Sequence, residues 1–424
     1  MTIHSDWSRI FHSECPAAFL KDIPQGQVGI IDGHLQLMSL HEGIQSWARF
    51  VDFLFLRPVL KMYAAGCKKV VLCFDCYDFV PAYKAMTQTS RVQRHEVKVF
   101  EPHWDLPTFV PENTMLYLMN RNFKVKLIEL VLARLPPLLK LEHDQAFILD
   151  YRRVVQYTPA NNMVPQPIDD LLPLGESDVK FCRYVTRYGG SALVHAIDGD
   201  YLAIALLYYT QHPPSPANRI YIYRQLATLE AAKQKRPRAS PKAQKCWVDV
   251  QMLHAMCLRR YDRVFTIDPA TRSPFPTDAL LRATVFLMLC AGTDFSRNLP
   301  LLGPKRLWEL LPSVAEDMLL AHASHQLYAD TVVATLYKHV FAKHIPHEHP
   351  SLQRALASLQ SSRLSQHTKQ HLPSEHRVLV TLSNLRWVMQ YWLAHNEPVD
   401  TPMDGTCGFL PCRTTGKPTF ADLA

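Results

Sequence analysis

Three short apolar runs along the chain end at an acidic residue: VGIID (28–32), KKVVLCFD (68–75) and ALVHAIDGD (192–200). The runs are rich in Val, Ile and Leu and show no clean alternation with polar residues. This is typical of strands buried on both faces of a parallel sheet. Helix-like segments lie between them, at 39–66 and 176–190. The order of strands and helices predicts an α/β fold with a doubly wound, mostly parallel sheet and flanking helices.

A fourth apolar run, ALLRATVFLMLCAGTD (279–294), has the length of a helix and also ends in an acid. Beyond Leu311 the chain is mostly helix-like, which predicts a helical C-terminal part. In doubly wound sheets, ligands bind beyond the carboxyl ends of the strands. The acids expected to meet at that edge are Asp32, Asp75, Asp198 and Asp200.

Two regions interrupt this pattern. Residues 77–175 are spotted with proline and are expected to form a large insertion above the ligand-binding edge, although they include a helix-like run (122–135) and an apolar stretch (145–157). Residues 211–245 are interpreted as a loop and a basic linker. The expected domains are a core, a helical region and a tail, at 1–290, 291–400 and 401–424.

Composition narrows the class of protein. The net charge of +8 favours a polyanionic partner such as nucleic acid. No apolar run approaches the roughly 20 residues that cross a bilayer, and the N-terminal stretch lacks a signal-peptide pattern, so we expect a soluble intracellular protein without a membrane partner. Cys67, Cys73 and Cys290 lie in apolar runs, which predicts reduced, buried thiols rather than disulfides.

The acidic residues carry the candidate chemistry. Asp198 and Asp200 lie two apart after a strand, so an extended backbone would point both to the same side. Glu176 and Asp178 have the same spacing at a predicted helix start. Taken singly, each acid also fits a turn or a helix cap, as Asp32 does in its Asp-Gly pair.

Taken together, the acids indicate a metal site. Each unpaired carboxylate in a buried cluster costs several kcal/mol, so a cluster of them requires cations. Oxygen ligands without clustered His or Cys favour Mg²⁺ or Mn²⁺. Two such ions about 3.5–4 Å apart activate water and stabilise the oxygens of a phosphoryl displacement. The pattern therefore predicts phosphodiester hydrolysis.

The motifs that hold these acids resemble those of the flap-endonuclease and XPG-like family of metal-dependent 5′ nucleases. They are VGIIDGHL, VVLCFDC, Gly175-Glu176-Ser177-Asp178, Asp198-Gly199-Asp200, Gly292-Thr293-Asp294-Phe295 and the stretch from Leu299 to Lys305. The similarity covers roughly residues 1–100 and 170–312. It implies a PIN-like α/β fold followed by a helix–hairpin–helix region.

The resemblance also implies a role for each acid in binding two ions, Mg²⁺ or Mn²⁺. The ligands of the first ion would be Asp32, Asp75 and Asp178, with Glu176 acting through water. The ligands of the second ion would be Asp178, Asp198, Asp200 and Asp294.

Basic residues extend the resemblance. Lys84 and Arg91 match the family's Lys–Arg pair that orients the scissile phosphate, and their spacing puts both on one face of a helix. The other interpretation is that they are ordinary surface charges. Gly303, Lys305 and Arg306 would form the helix–hairpin–helix turn and contact duplex phosphates, unless they are only a solvated helix start.

The implied function is a structure-specific 5′ nuclease acting on flaps, nicks or 5′ ends of DNA, in the nucleus or at a site of viral DNA replication. Branched or nicked duplex DNA is the expected partner, and no sliding-clamp peptide is evident. Two alternatives stay open: a 5′ exo- or endoribonuclease of the same superfamily, and a nuclease-like scaffold that binds nucleic acid without cutting. Leu301 replaces a glycine of the family's hairpin and favours RNA, whereas the retained Gly-Pro-Lys-Arg run favours duplex DNA.

Overall fold

The structure of the protein is a computed structural model. It describes residues 4–40, 44, 46–76, 117–118, 120–172, 174–226, 244–261, 276–292, 299–323, 330–346, 351–394, 409–411 and 418–420. Nine of the described strands form a single sheet in the order β1-β9-β8-β7-β2-β3-β4-β5-β6. These strands are β1 (Phe19–Leu20), β2 (Val28–Asp32), β3 (Lys69–Cys73), β4 (Ala146–Asp150), β5 (Val154–Tyr157), β6 (Gln166–Pro167), β7 (Gly190–His195), β8 (Asn218–Leu226) and β9 (Gln244–Asp249).

The middle of the sheet is parallel and doubly wound, as predicted. β2 pairs in parallel with β3 on one side and with β7 on the other, and the parallel pairing continues outward to β4 and to β8. The outer strands β1, β5, β6 and β9 are antiparallel. The chain therefore winds away from β2 in one direction as far as β4 and in the other direction from β7. The reversal lies between β2 and β7, and the carboxyl ends of such neighbours form a ligand-binding crevice in sheets of this kind.

Two of the five parallel strands and all four antiparallel strands are absent from the sequence-based prediction. β4, β5 and β6 lie within 77–175, so this segment as a whole is not an insertion outside the sheet. The apolar run of β4 is completely buried and pairs with β3, from which more than 70 residues separate it in the sequence. β8 lies entirely inside 211–245 and β9 begins at Gln244, so the segment that was predicted to be a loop and linker also contributes to the sheet.

The helices flank the sheet. They are α1 (His4–Glu14), α2 (Gly33–Met38), α3 (Trp47–Val51), α4 (Arg57–Ala64), α5 (Arg121–Arg134), α6 (Ser177–Tyr188), α7 (Asp200–Tyr208), α8 (Val250–Tyr261), α9 (Thr277–Cys290), α10 (Pro304–Ala323), α11 (Asp330–Val340), α12 (Leu352–Ser361), α13 (Gln366–Gln370) and α14 (Glu375–Leu393). A π-helical segment, Asp52–Leu56, joins α3 to α4 without a break. The described part of the chain after α9 is mostly helical, as predicted. It also contains a two-stranded hairpin, β10 (Phe409–Pro411) with β11 (Pro418–Phe420), in the segment expected to be a tail.

Both faces of the sheet are covered, which explains why the central strands show no alternation. In β2, Val28 and Ile30 pack into the core beneath α6, α7 and α9, whereas Ile31 packs into the core on the opposite face. In β3, Val71 faces the first core and Leu72 the second. A strand covered on both faces has no solvent side, so polar residues have no position to occupy within it.

Two further predictions are tested by the described residues. The eight cysteines among them are all free and buried, including Cys67, Cys73 and Cys290. Burial raises the pKa of the Cys73 thiol well above its ordinary value, which keeps the thiol protonated. No helix in the described part of the chain is long and apolar enough to cross a membrane.

Candidate metal centre

Three carboxylates converge at the carboxyl edge of the sheet. Asp178, Asp198 and Asp200 each place an oxygen atom within 4.8 Å of the others. Asp178 lies in the first turn of α6, and Asp200 is the first residue of α7. The partial positive charge of a helix N-terminus stabilises a carboxylate at both positions. Asp178 and Asp200 are buried, whereas Asp198 is partly exposed.

The backbone that brings Asp198 and Asp200 together is not extended. Asp198 Oδ1 accepts a hydrogen bond from the backbone N–H of Asp200 at 3.2 Å, and Gly199 between them has a helical conformation. The expectation of two side chains on one side of an extended segment was therefore wrong in its geometry. The turn into α7 brings the two carboxylates together instead.

Asp32 is the last residue of β2, and Asp75 follows the end of β3, the strand next to β2. Asp32 ends β2 and caps α2, with its Oδ1 accepting from the backbone N–H of His34 at 2.9 Å and of Leu35 at 3.1 Å. A Cβ atom at Gly33 would lie 2.8 Å from the carbonyl oxygen of Cys73. Glycine at this position therefore lets the ends of β2 and β3 approach closely.

Ser177 joins these two acids to the three-carboxylate cluster. Its backbone N–H and its Oγ donate to Asp75 Oδ1 at 2.9 and 2.8 Å, and its Oγ also lies 3.4 Å from Asp32 Oδ1. Because Asp178 is the next residue, the two groups of acids are contiguous. Glu176, on the other side of Ser177, is completely buried at the N-cap of α6, as expected for a helix start.

His34 is a site residue that the sequence-based prediction missed. Its Nδ1 lies 3.8 Å from Asp75 Oδ2 and accepts the backbone N–H of Asp75 at 3.4 Å. The position of His34 in the first turn of α2, two residues after Asp32, was the only signal in the sequence.

A fourth strand-end acid, Asp150 of β4, was also missed, and it has a different environment. Lys180 Nζ lies 3.0 Å from Asp150 Oδ1, and Arg183 and Tyr184 donate to Oδ2. Burial by itself raises the pKa of Asp150, but the charges of Lys180 and Arg183 outweigh this and lower the pKa. Lys180 also donates to the carbonyl oxygen of Phe74 at 2.6 Å, so this ion cluster supports the segment that carries Asp75.

Arg224 of β8 is a buried cation that contacts the residue before Asp198. Its Nε and Nη2 donate to Ser8 Oγ of α1 at 3.2 and 2.8 Å, and its Nη1 donates to the carbonyl oxygen of Ile197. Burial lowers the pKa of the Arg224 guanidinium, whereas the charges of Asp198 and Asp200 raise it. Arg224 thus connects the N-terminal helix to the loop that carries these two acids.

The predicted nucleic-acid-binding residues lie at the start of α10. Leu301, in the turn before this helix, has a φ of 66°, a left-handed conformation that glycine usually adopts. A Cβ atom at Gly303 would meet no atom within 4 Å. Lys305 is 84% exposed and lies 3.8 Å from Glu309, and Arg306 Nη2 lies 3.5 Å from the carbonyl oxygen of Val340.

Three predicted site residues, Lys84, Arg91 and Asp294, lie outside the residues that the structure describes. Of the remaining acids, the structure brings Asp178, Asp198 and Asp200 together and places Asp32 and Asp75 around Ser177. The three clustered carboxylates present hard oxygen donors, which fit Mg²⁺ or Mn²⁺.

No model of a protein family matches the chain, and no curated protein matches it. The chemistry of the site therefore rests on the residues that line it.

Proposed function

We propose that the protein is a metal-dependent phosphodiesterase with a PIN-like fold, a structure-specific 5′ nuclease that hydrolyses DNA at flaps, nicks or 5′ ends. The observation that carries this proposal is the convergence of Asp178, Asp198 and Asp200 within 4.8 Å at the carboxyl edge of the parallel strands. Three carboxylates at this separation repel one another strongly unless cations lie nearby. Divalent cations bound to the three carboxylates would offset this repulsion, so cation binding explains why the carboxylates lie so close together.

The donor set supports two ions, Mg²⁺ or Mn²⁺. Asp178, Asp198 and Asp200 would hold one of them, with Asp294 completing the set. Asp32 and Asp75 would hold the other together with Asp178, and Glu176 would act through water. When bound, such ions activate a water and stabilise the charge that develops on the phosphate oxygens.

The protein's own side chains would orient the ligands and the substrate. Ser177 and the first turn of α2 fix the oxygens of Asp75 and Asp32 through hydrogen bonds. Lys84 and Arg91 would orient the scissile phosphate, as in the family that the sequence resembles. Their positive charge would also draw the substrate to the edge of the sheet.

The turn before α10 supports the binding of a duplex as a helix–hairpin–helix element. Leu301 keeps the left-handed backbone of the glycine that it replaces, so the turn does not require glycine there. The open space at Gly303 allows a phosphate to approach the backbone N–H groups that precede α10. Lys305 and Arg306 extend from the same helix start and would contact the phosphates on either side.

RNA is the second candidate substrate. Leu301 stands where the family has glycine, and a side chain at this position would reduce the space for a duplex backbone. The same metal centre would then act as a 5′ exo- or endoribonuclease. The expected site of action is the nucleus or a site of viral DNA replication for a DNA nuclease.

A cleavage assay tests the proposal. Wild type, Asp200→Ala and Asp75→Ala are incubated with 5′-labelled DNA flap, nicked duplex, blunt duplex and single-stranded RNA, with Mg²⁺ or Mn²⁺. We expect metal-dependent cutting near the flap junction that both variants lose while they keep their fold. Selective degradation of RNA would support the ribonuclease, and absence of cleavage on every strand would contradict the proposed enzyme in favour of a binding scaffold.

A further inference from the structure

Lys180 of α6 is completely buried, and it contacts the segment that carries Asp75 as well as the acid of β4. Its Nζ lies 3.0 Å from Asp150 Oδ1 and donates to the carbonyl oxygen of Phe74 at 2.6 Å. Burial of an ammonium group is costly, and a buried ion pair is often no more stable than apolar residues of the same volume. The stability of the fold therefore does not by itself explain a lysine at this position.

Asp150 has a second buried cation beside Lys180. Arg183 donates to its other oxygen, Oδ2, and also to the carbonyl oxygen of Leu172. One cation is enough to neutralise one carboxylate, so Asp150 has one positive charge more than it requires. What distinguishes Lys180 from Arg183 is the hydrogen bond to Phe74, the residue before Asp75.

The end of β3 explains why the carbonyl group of Phe74 needs a donor. The backbone N–H of Phe74 donates to the carbonyl oxygen of Asp150 at 2.8 Å, which extends the pairing of β3 with β4 by one bond. In a parallel ladder, the carbonyl group of the same residue faces the same neighbouring strand. β4 ends at Asp150 and turns into its hairpin with β5. Lys180 therefore takes the place of the next backbone donor.

The start of α6 also binds the two residues that follow Phe74. Ser177 donates to the carboxylate of Asp75, and the carbonyl oxygen of Gly175, just before the helix, accepts the backbone N–H of Cys76 at 2.6 Å. Together with the contact from Lys180, these hydrogen bonds attach three consecutive residues to the start of one helix.

We propose that Lys180 is a positioning residue of the metal centre, which holds the main chain before Asp75 so that its carboxylate stays at a fixed distance from Asp178. Both acids are ligands of the same ion in the proposed function. The link to metal binding therefore rests on that function, whereas the fixing of the main chain does not. Lys180 touches neither the ion nor the substrate in this proposal, and Asp150 holds its ammonium group at the carbonyl oxygen.

Hydrogen exchange tests the fixing of the main chain without any metal. Lys180→Met keeps nearly the length of the side chain and removes its charge, and Arg183→Met is the matched control. Each variant leaves Asp150 with one cation, so both should fold and melt about 5–10 °C below wild type. We expect the backbone N–H groups of Asp75 and Cys76 to exchange at least about tenfold faster in Lys180→Met than in Arg183→Met.

Mass spectrometry measures this exchange in the peptide that contains Asp75 and Cys76, relative to the peptide of β8. Equal exchange in the two variants would overturn the proposal. Lys180→Gln takes the place of Lys180→Met if that variant does not fold. Glutamine is polar but one bond shorter than lysine, so it should also release Phe74, and exchange at the wild-type rate in this variant would again overturn the proposal.

Mn²⁺ binding tests the link to the metal centre through the direction of the change. Loss of a positive charge near carboxylates by itself tightens the binding of a cation. Arg183→Met should therefore bind Mn²⁺ at least as tightly as wild type. In Lys180→Met the loss of position should outweigh this effect, and one of the two proposed ions should bind about tenfold more weakly.

The electron paramagnetic resonance signal of free Mn²⁺ measures both affinities. Unchanged or tighter binding by Lys180→Met would overturn the link between Lys180 and the metal centre. If wild type binds no Mn²⁺ at all, the proposed nuclease function fails, and hydrogen exchange still decides whether Lys180 positions the segment that carries Asp75.

Discussion

Ser177 donates two hydrogen bonds to the same oxygen of Asp75, from its backbone N–H at 2.9 Å and from its Oγ at 2.8 Å. The two donors orient the carboxylate and stabilise its charged form. They also direct the other oxygen, Oδ2, towards His34. A residue that the sequence-based prediction treated only as a spacer between Glu176 and Asp178 thus sets the orientation of an acid from another strand.

The hydroxyl of Ser177 contributes to this orientation but is not its only source. Ser177→Ala keeps the backbone donor to Asp75 and removes the hydroxyl donor. We expect the free energy of unfolding to fall by about 1–2 kcal/mol and the rate of cleavage to fall severalfold. Urea denaturation and single-turnover cleavage measure the two effects. Ser39→Ala, which removes an exposed hydroxyl bonded only within its own helix turn, is the control. A complete loss of cleavage in Ser177→Ala would show a larger role for the hydroxyl.

Neutralising one carboxylate of the cluster should separate stability from function. Asp178→Asn removes one of three repelling charges, so the metal-free protein should gain about 1–3 kcal/mol in the free energy of unfolding. The same variant should lose Mg²⁺-dependent cleavage by about a thousandfold or more, because it lacks a carboxylate ligand. Asp170 is an exposed acid that pairs with Arg187, and Asp170→Asn is the matched control. It should change neither the free energy of unfolding nor the rate of cleavage. A destabilised Asp178→Asn with full cleavage would contradict the assigned metal ligand.

Asp150 should be important for stability rather than for chemistry. Asp150→Asn leaves Lys180 and Arg183 buried without their carboxylate, which typically costs about 3–5 kcal/mol. The folded-state pKa of Asp150 is lowered, so its contribution is complete above the ordinary aspartate pKa of about 3.9 and is lost as the pH falls below it.

Urea denaturation of wild type and Asp150→Asn at pH 7 and from pH 5 down to pH 3 measures this contribution. The difference in the free energy of unfolding between the two proteins should be largest at neutral pH and should become smaller at acid pH. Asp144→Asn removes an exposed partner of Lys68 and should have little effect at pH 7. A difference that grows towards acid pH would contradict a lowered pKa for Asp150.

The start of α10 should contribute affinity for a duplex without base specificity. Replacing Lys305 and Arg306 together by Ala removes two charges from an exposed helix start. We expect weaker binding of nicked duplex DNA and a salt dependence of the binding constant that is shallower by about one or two units on logarithmic axes. Fluorescence anisotropy over a salt series measures both, with the exposed Arg354→Ala as control. Unchanged binding and salt dependence would exclude this surface as a phosphate contact.

Much of the local structure was predictable because it depends on short runs of residues. The three apolar runs with an acid at the end contain β2, β3 and β7, although β3 ends two residues before Asp75 and β7 ends three residues before Asp198. The start of α6 at Ser177 follows from the same kind of local signal, whereas the start of α7 at Asp200 was not predicted, because an extended backbone was expected there. Strands β4 and β8 were missed, although both are largely apolar, because proline-spotted or polar segments surround them.

The contacts that make the site were not predictable from patterns along the chain. Ser177 and Asp75 are 102 residues apart, and Arg224 and Ser8 are 216 apart. No periodicity along the sequence links such positions. Each pair joins a helix residue to a residue in or just after a strand that is distant in the sequence, so only the tertiary fold brings the two together.

The sequence by itself determined the three central strands β2, β3 and β7 and the acids that follow them, since backbone preference and burial act over a few residues. The tertiary structure decided which of those acids meet. The chain reverses its winding between β2 and β7, and this reversal brings Asp198 and Asp200 to the same edge as Asp32. The tertiary structure also placed two cations against Asp150 and brought Arg224 to the carbonyl oxygen of Ile197, next to Asp198. The electrostatic character of each acid therefore depends on long-range packing, because the charges that surround it come from other elements.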